Sequence, residues 1–169
     1  MALIPGLTAP LQSSAEDYLT REAFLSMAFA DGNARMATLW LTAEARRRAS
    51  QALRHAPDRA RIRFWQEGER SAWILDEIGK DQPISFGIVI DAGQIVSVQV
   101  LAFRESRGWE IRHPFFTQQF AGAALTQDGN LNRAVDGITG ATLSVRAADR
   151  AARLALWLAG EAQANVATR

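Results

Sequence analysis

Residues 84–102 constrain the fold most. Ile84, Phe86, Ile88 and Ile90 recur at every second position, and Asp91-Ala92-Gly93-Gln94 interrupts them. Val96, Val98, Val100 and Ala102 then resume the same period. A period of two puts one residue set on one face of a strand, and a short Gly-containing break between two such runs is a hairpin. Upstream, Arg61–Trp65 alternates polar and apolar, Glu67-Gly68-Glu69-Arg70 reads as a turn, and Ser71–Ile78 reads as another strand. Gly79–Pro83 is a loop. The spacing predicts an antiparallel meander of about four strands.

Helical periods flank this meander. Tyr18, Phe24, Leu25 and Phe29 predict a helix over 14–29, broken at Asp31-Gly32-Asn33. A second helix is predicted over 42–54, with Thr42 as N-cap, Glu44 suited to the positive end of the helix dipole, and Pro57 beyond it. Residues 104–112 form a polar loop. His113-Pro114 opens a short helix through Phe115, Phe116 and Phe120 that stops at Gly122. Residues 126–133 are loop. The last helix begins after Thr139-Gly140 and runs through Val145, Ala148, Ala152, Leu156 and Ala159. The expected organisation is a tail over 1–13, a helical segment over 14–60, an α+β domain over 61–163 and a tail over 164–169. Its fold class is α+β: a twisted antiparallel sheet of four or more strands, with helices packed on one face.

Composition narrows the chemistry. With 169 residues the chain is one domain, or one domain with a short extra arm. Nineteen basic and eighteen acidic side chains nearly cancel, which argues against a bulk nucleic-acid binder. The absence of cysteine excludes disulfides, thiolate nucleophiles, Cys-ligated zinc and iron–sulfur clusters. Two histidines, His55 and His113, make a His-rich metal site an unattractive reading. No stretch reaches the roughly 18–20 apolar residues of a membrane span. The first residues lack a basic and then apolar leader, so no signal peptide is visible.

One segment carries chemistry: Asp136-Gly137-Ile138-Thr139-Gly140-Ala141-Thr142, followed by Leu143-Ser144-Val145. It is small and hydroxyl-rich, and it lies at the start of a helix. Free backbone N–H groups and the positive dipole end make that an anion site. Gly140 permits close approach or a positive φ. Thr139, Thr142 and Ser144 supply hydroxyls, one of which could be esterified by a phosphoryl group. The plainer reading is a helix cap with Thr139 as N-cap.

This run resembles the D-x-x-[S/T]-G-A-T signature of FMN-binding domains, such as the G subunit of the Rnf electron-transport complex and the C subunit of the sodium-pumping NADH:quinone reductase. Asp136, Thr139, Gly140, Ala141 and Thr142 match its fixed positions. The hairpin 83–106 is similar to the family's two-strand segment. The loop after it, H-x-E-T-P-G in the family, reads Phe103-Arg104-Glu105-Ser106-Arg107-Gly108; Glu105 and Gly108 keep their places, and the His and Pro are absent. PFFTQQFAG resembles the family's F-x-x-Q-F-x-G segment. The likeness spans about residues 80–160.

The resemblance implies FMN held covalently through a phosphoester to Thr142, attached by a flavin transferase that takes it from FAD. Asp136, Gly137, Thr139, Gly140, Ala141, Leu143 and Ser144 would surround the phosphate, and Glu105, Gly108 and Trp109 would lie near the flavin. It implies an electron carrier or redox subunit rather than a stand-alone enzyme, with redox partner proteins, membrane-bound ones among them, and no nucleic acid. It also implies a periplasmic setting, with the targeting segment missing from this chain; a cytoplasmic setting stays open. Two other readings are a flavin-free protein-interaction module and a small reductase with non-covalent FMN. Elsewhere, Arg46-Arg47-Arg48, Arg54, Arg59, Arg61 and Arg63 read as a solvated face or as a docking patch for an acidic partner. Trp40, Trp65, Trp73 and Trp157 read as core or interface, and His113 as a capping group or a proton donor.

Overall fold

A computed structural model describes residues 16–167. In chain order the elements are β1 (Glu16–Asp17), α1 (Arg21–Ala28), β2 (Arg35–Trp40), α2 (Ala43–Leu53), β3 (Arg61–Glu67), β4 (Arg70–Ile78), β5 (Pro83–Asp91) and β6 (Gln94–Phe103). A 3-10 turn (Trp109–Arg112), the short α3 (Pro114–Thr117) and the long α4 (Thr142–Ala167) follow. One antiparallel sheet runs in the order β1-β6-β5-β4-β3-β2. The α+β class and the C-terminal helix that starts at the motif are both present. No helix among the described residues is long and apolar enough to cross a membrane.

The four expected strands form where the period of two places them. In β5, every residue from Ile84 to Ile90 is buried, so the strand is covered on both faces. Its apolar side chains stabilise the fold by roughly 1.5–3 kcal/mol each. One detail of β6 departs from the alternation. A register shift between Val89 and Ile90 leaves Val96 exposed and turns its neighbour Ile95 into the core, with Val98 and Val100. A bulge adds one residue to one strand and flips the faces beyond it.

The segment 14–60 is not helical throughout. It gives two strands to the sheet, β1 beside β6 and β2 beside β3. Arg35–Trp40 was missed because it buries little: Leu39 is its one buried side chain, as an edge strand allows. Trp40 is exposed there, with the Arg61 guanidinium over its ring, and is no core residue. The first helix is shorter than expected. Thr20 caps it, its hydroxyl accepting from the Ala23 amide at 3.1 Å. Thr42 caps α2 in the same way through Ala45. Residues 1–15 lie outside the described residues. At the other end α4 continues to Ala167, so the expected tail from 164 is largely helix.

Helices cover both faces rather than one. On one face α2, α3 and α4 pack over Phe64, Trp73, Phe86, Ile88 and Val100. Trp73 is fully buried and stacked on Phe64 with ring centroids 4.5 Å apart. On the other face α1 lays Phe24, Ala28 and Phe29 on Ala72, Val89 and Leu101. Gly87 makes that second layer possible: a Cβ there would fall 2.8 Å from the Phe24 ring.

Candidate functional site

The motif forms a tight turn that delivers the chain to α4. The Ala141 amide donates to the Ile138 carbonyl at 3.0 Å, and Gly140 holds a left-handed φ of 84°. A Cβ at that φ would strain the backbone, which is the reason for glycine. The first helical bond runs from the Val145 amide to the Ala141 carbonyl at 2.9 Å. Helical geometry therefore gives the amides of Thr142, Leu143 and Ser144 no acceptor within the helix. The residue before the helix is Ala141, which has no side-chain oxygen, so Thr139 is not the N-cap. The plainer cap reading thus fails at its central residue.

The loop after β6 closes on this turn. Gly108 has a φ of 90°, and a Cβ on it would collide with the Ser144 hydroxyl and meet the Ala141 methyl. Gly108, Ala141 and Ser144 therefore form one close contact between segments far apart in sequence. Ser144 is buried there, while Thr142, Leu143, Thr139, Gly140, Asp136 and Gly137 are exposed. Trp109, next to Gly108, is 43% exposed. The Arg112 guanidinium lies 5.0 Å from its ring centroid, and His113 meets it edge-on at 5.5 Å. His113 stands immediately before Pro114, at the N-cap position of α3.

Glu105 is engaged by the neighbouring β4–β5 loop. Its Oε1 accepts from the amides of Lys80, Asp81 and Gln82 at 2.5, 2.6 and 2.9 Å. It clamps the β4–β5 loop to the end of β6. Partial burial pushes its carboxyl upward, but the amide donors of Gln82, Asp81 and Lys80 and the Lys80 charge outweigh that and hold it below the usual carboxylate range.

Two residues escaped the sequence reading. Gln119 accepts from the Asp136 amide at 2.7 Å and donates to the Phe115 carbonyl at 3.3 Å, tying the motif to α3. Its signal was the Q of the F-x-x-Q-F-x-G segment. Arg146 is exposed four residues after Thr142. That spacing puts both residues on one helical face. Among the arginines of 46–63, Arg47 pairs with Glu44 and Arg48 with Glu161 on exposed surface, as a solvated face would.

These residues fit a phosphoryl ester: an accessible hydroxyl, three helix-terminal amides, no side-chain cap competing for them, and an arginine one turn on. Comparison with curated proteins and with solved structures returned no match. Residues 79–157 match the family model for the FMN-binding domain. The chain therefore carries a member of the FMN-binding domain family over residues 79–157, and FMN is the cofactor this domain indicates.

Proposed function

We propose that the chain is an electron-transfer flavoprotein whose FMN is esterified to Thr142. The observation that carries this reading is the start of α4: an exposed threonine hydroxyl as the first helical residue, after an alanine that leaves the helix-terminal amides to a ligand. The Thr142 hydroxyl oxygen forms the new P–O bond, the pyrophosphate bond of FAD breaks, AMP leaves and the hydroxyl proton passes to solvent or to the transferase. No redox change accompanies that exchange. The amides of Leu143 and Ser144, together with Arg146, balance the phosphodiester charge. Gly108 and Gly140 keep the approach free of side chains, and Gln119 holds the motif in place through Asp136.

Bound FMN supplies one- and two-electron redox chemistry. The protein anchors it and presents Trp109 at the same end of the helix. The resemblance to electron-transport subunits supports a periplasmic setting, a flavin transferase as the modifying partner, and redox proteins as donor and acceptor. The test is co-expression with a flavin transferase, followed by intact mass and a visible spectrum. We expect one denaturation-stable adduct of FMN less water, absent in Thr142→Ala. Yellow protein that loses its flavin on denaturation identifies a non-covalent holder instead. Colourless, unmodified protein beside an active transferase removes the flavin carrier.

A further inference from the structure

A cavity of about 760 Å³ opens between β3 and β4, away from the motif. The two strands pair from Glu67 and Arg70 to Phe64 and Trp73, and share no ladder beyond that point. β3 stays on β2 as far as Arg61, and β4 stays on β5 as far as Ile78. The sheet is thus split along part of the β3–β4 seam while the ladders on either side remain closed. Leu154, on the inner face of α4, lies across the opening. It is twelve residues past Thr142, or about 18 Å along the helix.

The two sides of the split differ in chemistry. Ile62 and Leu75 point toward the α4 face and, with Leu154, make an aliphatic floor. Arg61, Arg63 and Ile74 alternate with them and face the α1 side, where Arg21 joins the rim. Arg21 is paired with Glu22, Arg61 lies over Trp40, and among the described residues Arg63 has no carboxylate within ion-pair distance. The buried carboxylate at the floor does not oppose an anion. Glu77 spends one oxygen on His55 Nε2 at 2.6 Å and the other on Arg150 Nε at 3.1 Å. Asp58 and Asp76 also line the opening, so a singly charged head is favoured over a dianionic phosphate.

We infer that the β3–β4 split is a second ligand site, taking a small organic carboxylate with an apolar body. The carboxylate sits at Arg63, and the hydrocarbon runs inward between Ile62, Ile74, Leu75 and Leu154. Its volume lies within the ordinary range of ligand pockets, and a planar guanidinium is the side chain suited to a carboxylate. The inference is independent of the flavin reading, because no residue is shared.

The test is titration of the isotopically labelled full chain with decanoate and, separately, with decanol, followed by amide NMR shifts. We expect saturable shifts at Ile62, Ile74 and Leu75 below about 1 mM decanoate, with decanol at least about tenfold weaker. Arg63→Gln, an exposed strand position, should bring decanoate down to the affinity of decanol. Ile74→Phe should fill the opening and weaken both. Thr142→Ala should change neither. No saturable shift at these residues, equal affinity for decanol and decanoate, or an unaltered Arg63→Gln titration each overturns the site.

Discussion

The beginning of α4 and its middle serve two unlike regions. At the beginning, seven consecutive residues, Asp136–Thr142, make a turn that is mostly exposed, with Ala141 buried against Gly108 and the Asp136 amide bonded to Gln119. At the middle, Arg150 and Leu154 meet residues drawn from the loop after α2, from β3 and from β4. The first region is built mostly by local conformation, and its threonine is exposed. The second exists only because strands distant in sequence come together and then part. One helix can therefore present an exposed threonine at its tip while holding a charged pair with the buried Glu77 further along. Its N-terminal amides need a ligand, whereas its interior has every backbone group paired.

The largest expected effect separates the two regions. Arg150→Ala leaves the buried Glu77 carboxylate with only His55, and should cost about 3 kcal/mol, lowering Tm on the order of 10 °C. Thermal unfolding checks the loss, and the FMN adduct yield at 20 °C should be unchanged. A parallel loss of adduct would break the comparison by coupling the two regions.

Gly108→Ala comes next, at about 2 kcal/mol, since it forces a side chain into a left-handed backbone and against Ser144. Flavinylation should fall with it. Adding Ser144→Ala should recover part of the stability, and a strictly additive double mutant would show that the contact carries no weight.

Glu105→Gln sharpens the comparison within the flavin half, because it acts on the loop clamp and not on the motif. It should cost about 1 kcal/mol at pH 7. The folded protein holds this carboxyl low, so its contribution is full above the unfolded pKa and is lost as pH falls through the folded value. The stability gap between wild type and variant should therefore close below about pH 4. Denaturant titrations at pH 7 and pH 3 check both ends. The smallest effect is Thr42→Ala, the α2 cap, at about 0.5–1 kcal/mol by the same titration, with no change in flavin loading.

Legibility in the sequence followed locality. Strands β5 and β6 showed through because large apolar residues recur at every second position along them, although in β5 the residues between are buried as well. The motif showed because its turn and helix start are contiguous. Edge strand β2 buries one side chain and left no period to read. Glu105 kept its place in a family pattern, yet its oxygen turns to the Lys80–Gln82 amides, a contact across the β4–β5 loop that no spacing announces.

The sequence by itself determined the hairpin meander, the capped α2, and a helix that opens on Thr142 after a glycine turn. Each follows from neighbouring φ/ψ preferences and from side-chain periodicity, which act within a few residues. Only the tertiary structure decided that helices cover both sheet faces, that Gly108 meets Ser144, and that β3 and β4 part around a cavity. Those outcomes depend on which side chains are left to share one buried space once distant segments pack, and the close packing of that space leaves no trace in local order.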